Sequence, residues 1–219
     1  MKTLFALAIF AGISGLVPGL AAAQGYYGGS GPGYYGPPQP AANPGGFHNR
    51  QGRLAWGFSV GLGGMHDAGS QITSCNNCNY NPIAVEVDGH IGGFLGPRFA
   101  LMAEAQVNAQ TVHSDAYDAD TVISQNTLMI AGQFWVTPQL WIKGGIGFAH
   151  LQAEDTYFVY DIGTGAAIMG GIGYELMSAR NFAVDLQGRI IQGTYNSDNG
   201  GYLSDSVTSA TVGVGLNWY

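Results

Sequence analysis

Two short segments of the sequence carry residue types that could do chemistry. The first is SCNNCN, which contains Cys75 and Cys78, the two cysteines of the chain. Their spacing could supply half of a zinc site, but the sequence offers no second pair to complete it. In an exported protein, two cysteines most simply form one disulfide. We therefore expect a loop disulfide or two free thiols at this segment, and no metal.

The second segment is His113, Ser114 and Asp115, whose residue types occur in nucleophilic sites. Such a site needs the three side chains to converge in space, and adjacent residues on a loop do not converge by sequence alone. We therefore expect no catalytic residue, no enzyme activity and no cofactor. An ordered His–Ser–acid cluster at this place would favour an enzyme instead.

Charged side chains form a third pattern, because they alternate with apolar ones. Charged residues are only 10% of the sequence, yet the segment FAVDLQGRII at 182–191 places Asp185 and Arg189 on one parity. The other parity carries Phe182, Val184 and Leu186. Strict alternation of this kind predicts a β-strand with one apolar face and one polar face.

The same alternation recurs along the chain and predicts an all-β fold. It appears in eight segments, near residues 56–63, 83–91, 101–108, 127–134, 140–148, 166–174, 182–191 and 209–218. A soluble barrel would turn the apolar face inward, whereas a membrane barrel turns it outward to lipid. The segments suit the about 9 to 11 residues of a tilted membrane strand better than the about 5 to 6 of an average soluble strand.

Loop lengths also favour a membrane barrel. Short connections at 96–98, 137–139 and 175–181 alternate with longer, polar and acidic ones at 66–82, 113–121, 152–161 and 196–205. Short turns at one end and long loops at the other are typical of periplasmic and extracellular ends.

Aromatic residues gather near the two ends of the predicted strands. Two aromatic girdles that flank an apolar band fit a bilayer. We expect the periplasmic girdle to comprise Trp56, Trp135, Trp141, Tyr174, Phe182 and Trp218.

The residues before the first strand divide into two zones. Residues 1–23 combine Lys2, an apolar run and the small residues Ala21 to Ala23, as in a secretory signal peptide; the alternative is a transmembrane anchor. Residues 24–53 are rich in Gly, Tyr and Pro, and repeat Gly-Tyr-Tyr-Gly. This composition predicts a disordered linker, although the tyrosines could instead stack on a partner. The barrel is then expected to occupy residues 54–219.

The chain resembles a known family. The resemblance rests on the export signal, the eight alternating segments, the loop pattern and the ending VGVGLNWY, and it covers residues 54 to 219. The family is that of the small outer-membrane barrels, the OmpA transmembrane domain and the OmpX/Ail type. The resemblance implies an eight-stranded antiparallel up-and-down transmembrane β-barrel in the outer membrane of a Gram-negative cell envelope, with both termini periplasmic. It also implies that the last strand, ending at Trp218 and Tyr219, is the signal read by the barrel-assembly machinery. The alternation makes Trp218 the last outward residue and leaves Tyr219 one position beyond it.

The polar parity of the strands is expected to line the lumen, which side chains can fill in a barrel of eight strands. Buried charges are costly unless they are paired. We expect Arg189 to pair with Glu104 or Glu86, and Lys143 with Asp185. The network would act as a plug, or as a gate that opens a small pore. Its expected members are Glu86, Asp88, His90, Glu104, Lys143, Asp185 and Arg189.

Composition narrows the functions. With seven Lys and Arg and a net charge of −7, the chain lacks the basic clusters that nucleic acid requires. A structural anchor or surface-interaction barrel is the leading hypothesis, followed by a narrow channel or carrier and then by a rim enzyme acting on lipid. The expected partners are outer-membrane lipid, lipopolysaccharide and the assembly machinery, and a monomer is expected. Loop aspartates, which could share divalent cations with lipopolysaccharide, are Asp115, Asp118 and Asp120.

Overall fold

The structure is a computed structural model that describes residues 50–67, 70–72, 82–114, 119–155, 158–179, 181–196 and 206–219. The predicted signal peptide, most of the predicted linker and the predicted disulfide between Cys75 and Cys78 lie outside the described residues. No helix in the described part of the chain is long and apolar enough to cross a membrane.

Eight long antiparallel strands form the wall. They are β1 (Leu54–Asp67), β2 (Ala84–Phe94), β3 (Phe99–Ser114), β4 (Ala119–Trp135), β5 (Leu140–Glu154), β6 (Val159–Ser178), β7 (Phe182–Asn196) and β8 (Ser206–Trp218). Each strand pairs with the next along the chain, and a two-residue strand, Ser70–Gln71, pairs with the end of β1.

The wall is closed, because β8 also pairs with β1. This seam runs in register from Trp56 opposite Trp218 to Asp67 opposite Val207. Closure satisfies the backbone of every wall strand on both sides, which is what hydrocarbon requires of a sheet. The predicted all-β, eight-stranded, antiparallel up-and-down barrel is confirmed.

The two ends of the barrel differ. At the turn end, residues 95–98, 136–139 and 179–181 connect the strands, and both Leu54 and Trp218 lie there. At the loop end, the connections are 68–83, 115–118, 155–158 and 197–205.

The hairpins at the loop end are longer than the sequence indicated. Segments 113–121 and 152–161, predicted as loops, are mostly strand, because β3 continues to Ser114 and β6 begins at Val159. Ladder hydrogen bonds do not require apolar side chains, so strands can continue past the apolar band as polar hairpins. One of these hairpins is closed by Asp155, whose carboxylate accepts a 2.7 Å hydrogen bond from the Phe158 backbone.

The outward face of the wall is apolar and the inward face is largely polar. Outward side chains of β5, such as Ile142, Ile146 and Phe148, are exposed, whereas the inward Lys143 is buried. A soluble barrel would have the opposite arrangement. The wall is therefore built to face hydrocarbon.

One inward glycine shows how the interior is fitted to its side chains. Gly173 on β6 lies opposite Trp141 on β5. A Cβ at Gly173 would overlap the Trp141 indole, so a glycine there lets the indole lie flat across the neighbouring strand.

The outward apolar band predicts a depth-dependent cost for charge. Ile146 lies near the middle of β5 and is 69% exposed, so Ile146→Lys should lower the free energy of unfolding by about 2–4 kcal/mol. Val159→Lys, an apolar-to-Lys change at the loop end of β6, should cost only about 0–1 kcal/mol. Urea unfolding of the barrel refolded into lipid vesicles measures both. Equal losses at the two positions would contradict this placement of the bilayer.

Candidate functional site

The interior of the barrel is the candidate site, and three groups of its buried side chains can be distinguished along the barrel. The middle layer, here called the charge layer, contains Glu86, Asp88, His90, Glu104, Lys143, Asp185 and Arg189, all of which are buried. Toward the loop end lies an apolar layer, which includes Met65, Ile72, Met129, Leu151, Ile191 and Val207. Toward the turn end lies an aromatic base, formed by Phe94, Trp135, Trp141 and Tyr219 with Ala55 and Ala100.

Arg189 is the centre of the charge layer. Its Nη1 lies 2.9 Å from Glu104 Oε1 and 3.2 Å from Glu86 Oε1. Its Nη2 lies 3.0 Å from Asp88 Oδ1. One guanidinium thus contacts carboxylates from β2 and β3 on the wall across from β7. Pairing of Arg189 with Glu104 or with Glu86 was expected from the sequence, whereas simultaneous contact with both and with Asp88 was not.

Lys143 pairs differently from the expectation. Its Nζ lies 2.9 Å from Glu104 Oε2, so Glu104 bridges the two basic residues of the layer. Asp185, the partner expected for Lys143, is instead held by hydrogen bonds from Trp141 Nε1 at 3.1 Å and Asn217 Nδ2 at 2.9 Å. The physical reason is local, because the indole and the amide lie beside this short carboxylate and already donate to one of its oxygens.

Polar side chains also contact two of the acids that pair with Arg189. His90 Nδ1 and Ser59 Oγ each lie 3.3 Å from Asp88 Oδ1. The Thr211 hydroxyl donates to Glu86 Oε2. A buried charge network persists only when its members are paired or hydrogen-bonded in this way. The arrangement can fill and lock the lumen, and among the described residues no group of three or more His, Cys, Asp or Glu could hold a metal ion.

The apolar layer was not identified from the sequence. Its members share the inward parity of their strands, as Ile191 follows Arg189 by two positions on β7. Ile72, which follows the two-residue strand, also belongs to it and is 5% exposed. Gln110 anchors this residue, since it donates to the Ile72 carbonyl at 2.7 Å and accepts from the Met65 backbone at 3.0 Å. The sequence signal for this layer was the presence of apolar residues, such as Ile191, at positions of the otherwise polar inward parity.

The aromatic base corrects the predicted girdle. Trp135 and Trp141 are 3% and 1% exposed and point into the barrel. Trp135 Nε1 donates to Glu175 at 2.8 Å, as Trp141 donates to Asp185. The two residues have the inward parity of Gln133 and Lys143, and both indole N–H groups find buried acceptors inside the barrel. Their position along the strand is that of a girdle residue, but they point into the barrel and not toward lipid.

The other predicted girdle residues lie on the outside of the turn end. Trp56 and Trp218 stack across the seam with ring centroids 4.4 Å apart, and Phe182 packs against Trp218 at 5.2 Å. Tyr174 is exposed and donates to Gln139 Oε1 at 2.6 Å.

Both ends of the described chain enter the turn-end mouth of the barrel. Tyr219 follows the outward Trp218 and turns inward, where its hydroxyl donates to Glu175 at 3.2 Å. Residues 50–53 were assigned to the linker from the sequence, yet Arg50 is buried and pairs with Glu175. A linker composition therefore continues into residues that pack against the barrel.

Outside the interior, a histidine and an aspartate contact each other at the loop end. His150 Nε2 lies 3.0 Å from Asp161 Oδ1, where the His150 side chain is partly exposed and the Asp161 side chain is mostly exposed. The side chains of His113 and Ser114, and all of Asp115, lie outside the described residues, so the structure brings no His–Ser–acid cluster together in its described part.

No protein-family model matches the sequence, and no curated protein matches it. Among solved structures, the barrel is similar to Ail, the attachment invasion locus protein of Yersinia pestis in complex with the heparin analogue sucrose octasulfate, at 13% identity, 75% coverage of this chain, 98% of that chain and a TM-score of 0.49. It is also similar to Neisserial surface protein A, at 8% identity, 75% and 95% coverage and a TM-score of 0.48. The outer membrane protein OprG of Pseudomonas aeruginosa matches at 11% identity, 76% and 94% coverage and a TM-score of 0.37. These are likenesses of architecture, and the barrel assignment itself rests on the strand register.

The pairing of Lys143 predicts which residue is energetically coupled to it. A double-mutant cycle with Lys143→Met and Glu104→Gln should give a coupling of about 0.5–3 kcal/mol, as for contacting buried groups. The matched cycle with Lys143→Met and Asp185→Asn should give a smaller value. Unfolding in urea, followed by fluorescence, measures both cycles. A larger coupling to Asp185 would contradict the observed pairing.

The faces of the four tryptophans predict their contact with lipid. In variants that keep one tryptophan and replace the others with phenylalanine, acyl-chain-brominated lipid should quench Trp56 and Trp218 strongly. It should quench Trp135 and Trp141 weakly, because the wall separates them from lipid although all four lie near the turn end. Similar quenching at all four positions would place Trp135 and Trp141 outside.

Proposed function

We propose that the chain is an outer-membrane β-barrel that serves as a structural anchor or surface-interaction protein and is neither a channel nor an enzyme. The observation that carries this proposal is the filled interior. The charge layer, the apolar layer and the aromatic base lie one above another, and each consists of buried side chains. A solute would have to displace all three layers to cross.

The outer wall supports a membrane location. Its exposed residues form an apolar surface, and a predicted signal peptide provides export. In this proposal the turn end, with both chain ends, faces the periplasm and the loop end faces the outside of the cell. Lipid and lipopolysaccharide surround the wall, the assembly machinery reads the last strand during insertion, and the barrel is a monomer.

The sequence of the loop end is acidic and suits interaction with a partner. In sequence, its connections and the adjoining strand ends contain no Lys or Arg, and their acidic residues are Asp67, Asp115, Asp118, Asp120, Glu154, Asp155, Asp161, Asp198 and Asp205. Complementary charge steers association. A basic partner, or an anionic one bridged by divalent cations, therefore fits this surface, whereas nucleic acid does not.

A narrow channel is the alternative, and the charge layer is the feature that would gate it. Rearrangement of the charge layer alone would not open a channel, because the apolar layer and the aromatic base also close the lumen. Loss of Arg189 would leave both in place. The channel hypothesis therefore requires more than a rearrangement of ion pairs.

Single-channel recording tests the proposal directly. The chain without its predicted signal peptide is inserted into a planar bilayer, and insertion is verified by the shifted gel mobility of the folded barrel. We expect no discrete conductance steps from the wild type, and none from Arg189→Ala, because two closed layers remain. Steps in the wild type would overturn the closed lumen. Steps only in Arg189→Ala would show that the charge layer is the sole barrier and would favour a gate.

A further inference from the structure

Arg50 reaches the turn-end mouth through a tight turn that precedes β1. The backbone N–H of Arg53 donates to the Arg50 carbonyl at 3.0 Å, and Gly52 adopts a positive φ of 74°. A left-handed residue at this place favours glycine. Gly52 also donates to the Phe94 carbonyl at 3.0 Å, which fixes the turn to the end of β2. The turn directs the Arg50 side chain into the barrel, where the residue is 3% exposed.

Three aromatic rings surround the Arg50 guanidinium. Its central carbon lies 4.0 Å from the centroid of the Tyr219 ring, 5.3 Å from Trp135 and 5.9 Å from Phe94. All three distances are within the about 6 Å over which a cation is attracted to a ring face. Phe94 and Trp135 also lie edge-on to Tyr219, at 5.4 Å and 6.3 Å. The rings support one another as well as the cation.

One carboxylate completes the enclosure. Arg50 Nη1 and Nη2 donate to the two oxygens of Glu175, each at 2.9 Å, and Nη2 also donates to Ser178 Oγ at 3.1 Å. This two-point contact matches the planar fork of a guanidinium and not the single point charge of an ammonium. Glu175 is fully buried, and it lies at an irregularity where the register of β6 against β7 shifts.

The enclosing groups come from four places in the closed barrel. Phe94 ends β2, Trp135 ends β4, Glu175 is on β6 and Tyr219 follows β8. Trp135 Nε1 and the Tyr219 hydroxyl donate to Glu175 as well, at 2.8 Å and 3.2 Å. The carboxylate therefore has two donors in the barrel itself, in addition to Arg50.

We propose that Phe94, Trp135, Glu175 and Tyr219 form a binding site for an alkylguanidinium group, here called the guanidinium box, and that Arg50 is its occupant from the same chain. Recognition rests on the two terminal nitrogens and on the flat face of the group. The Nε of Arg50, which carries the alkyl chain, has no hydrogen-bond partner. The box therefore makes no hydrogen bond to the substituted nitrogen of the group. Occupancy fastens the segment before β1 to the mouth of the barrel.

Chemical rescue of Arg50→Ala tests the guanidinium box. The substitution removes the occupant and leaves the four enclosing residues in place. In detergent micelles, ethylguanidinium at millimolar concentration should raise the thermal unfolding midpoint of Arg50→Ala in a saturable manner. Ethylammonium, which has the charge but not the fork, should give no saturable rise. Arg53→Ala is the matched control, because Arg53 lies three residues away and its contact to Asn181 Oδ1 is exposed.

A second variant and a second readout keep the test decisive. Adding Glu175→Gln to Arg50→Ala should abolish the rescue by ethylguanidinium. If Arg50→Ala does not refold alone, the same comparison is read as the yield of folded barrel when each compound is present during refolding. Equal effects of ethylguanidinium and ethylammonium, or an equal rescue in Arg53→Ala, would overturn the proposal. So would rescue that persists without the Glu175 carboxylate.

Discussion

A strand that crosses hydrocarbon must pair its backbone on both edges, because lipid offers no hydrogen bonds. In this chain the pairing of β8 with β1 meets that constraint, and most other features follow from it. Closure gives each strand one inward and one outward parity, and surrounding lipid favours the apolar parity on the outside. It also makes the interior narrow, since a barrel of eight strands leaves room only for side chains. Every group on the inward parity is therefore removed from water and needs a partner.

Several charged groups of the interior share partners. Glu104 contacts both Arg189 and Lys143, and Asp88 receives contacts from Arg189, His90 and Ser59. Removing one partner of such a network leaves the others buried and unpaired. The charge layer is consequently a locking element, and the apolar layer and the aromatic base fill the interior on either side of it.

The alternation of residue types was sufficient to predict the fold, the eight strands and the inward parity of the charge layer. It was not sufficient to predict partners, because the pairing of Lys143 depends on the indole beside Asp185, which alternation does not describe. Trp135 and Trp141 illustrate a second limit. A residue in a barrel wall has a position along the barrel axis and a side, inward or outward. The nearness of these two tryptophans to a turn indicated only their position along the axis. Arg50 illustrates a third limit. It lies in a segment whose composition is that of a linker, and composition does not indicate that its partners lie on β6 and beyond β8.

The inward turn of Tyr219 has a consequence for how the chain can be extended. Its backbone N–H donates to the Asn181 carbonyl at 3.0 Å, and its ring lies directly under the Arg50 guanidinium. Any residues fused after Tyr219 would have to leave through a mouth already occupied by the other end of the barrel chain. An affinity tag placed there would compete with Arg50 for space. One aromatic side chain therefore restricts what can be added at this end of the barrel.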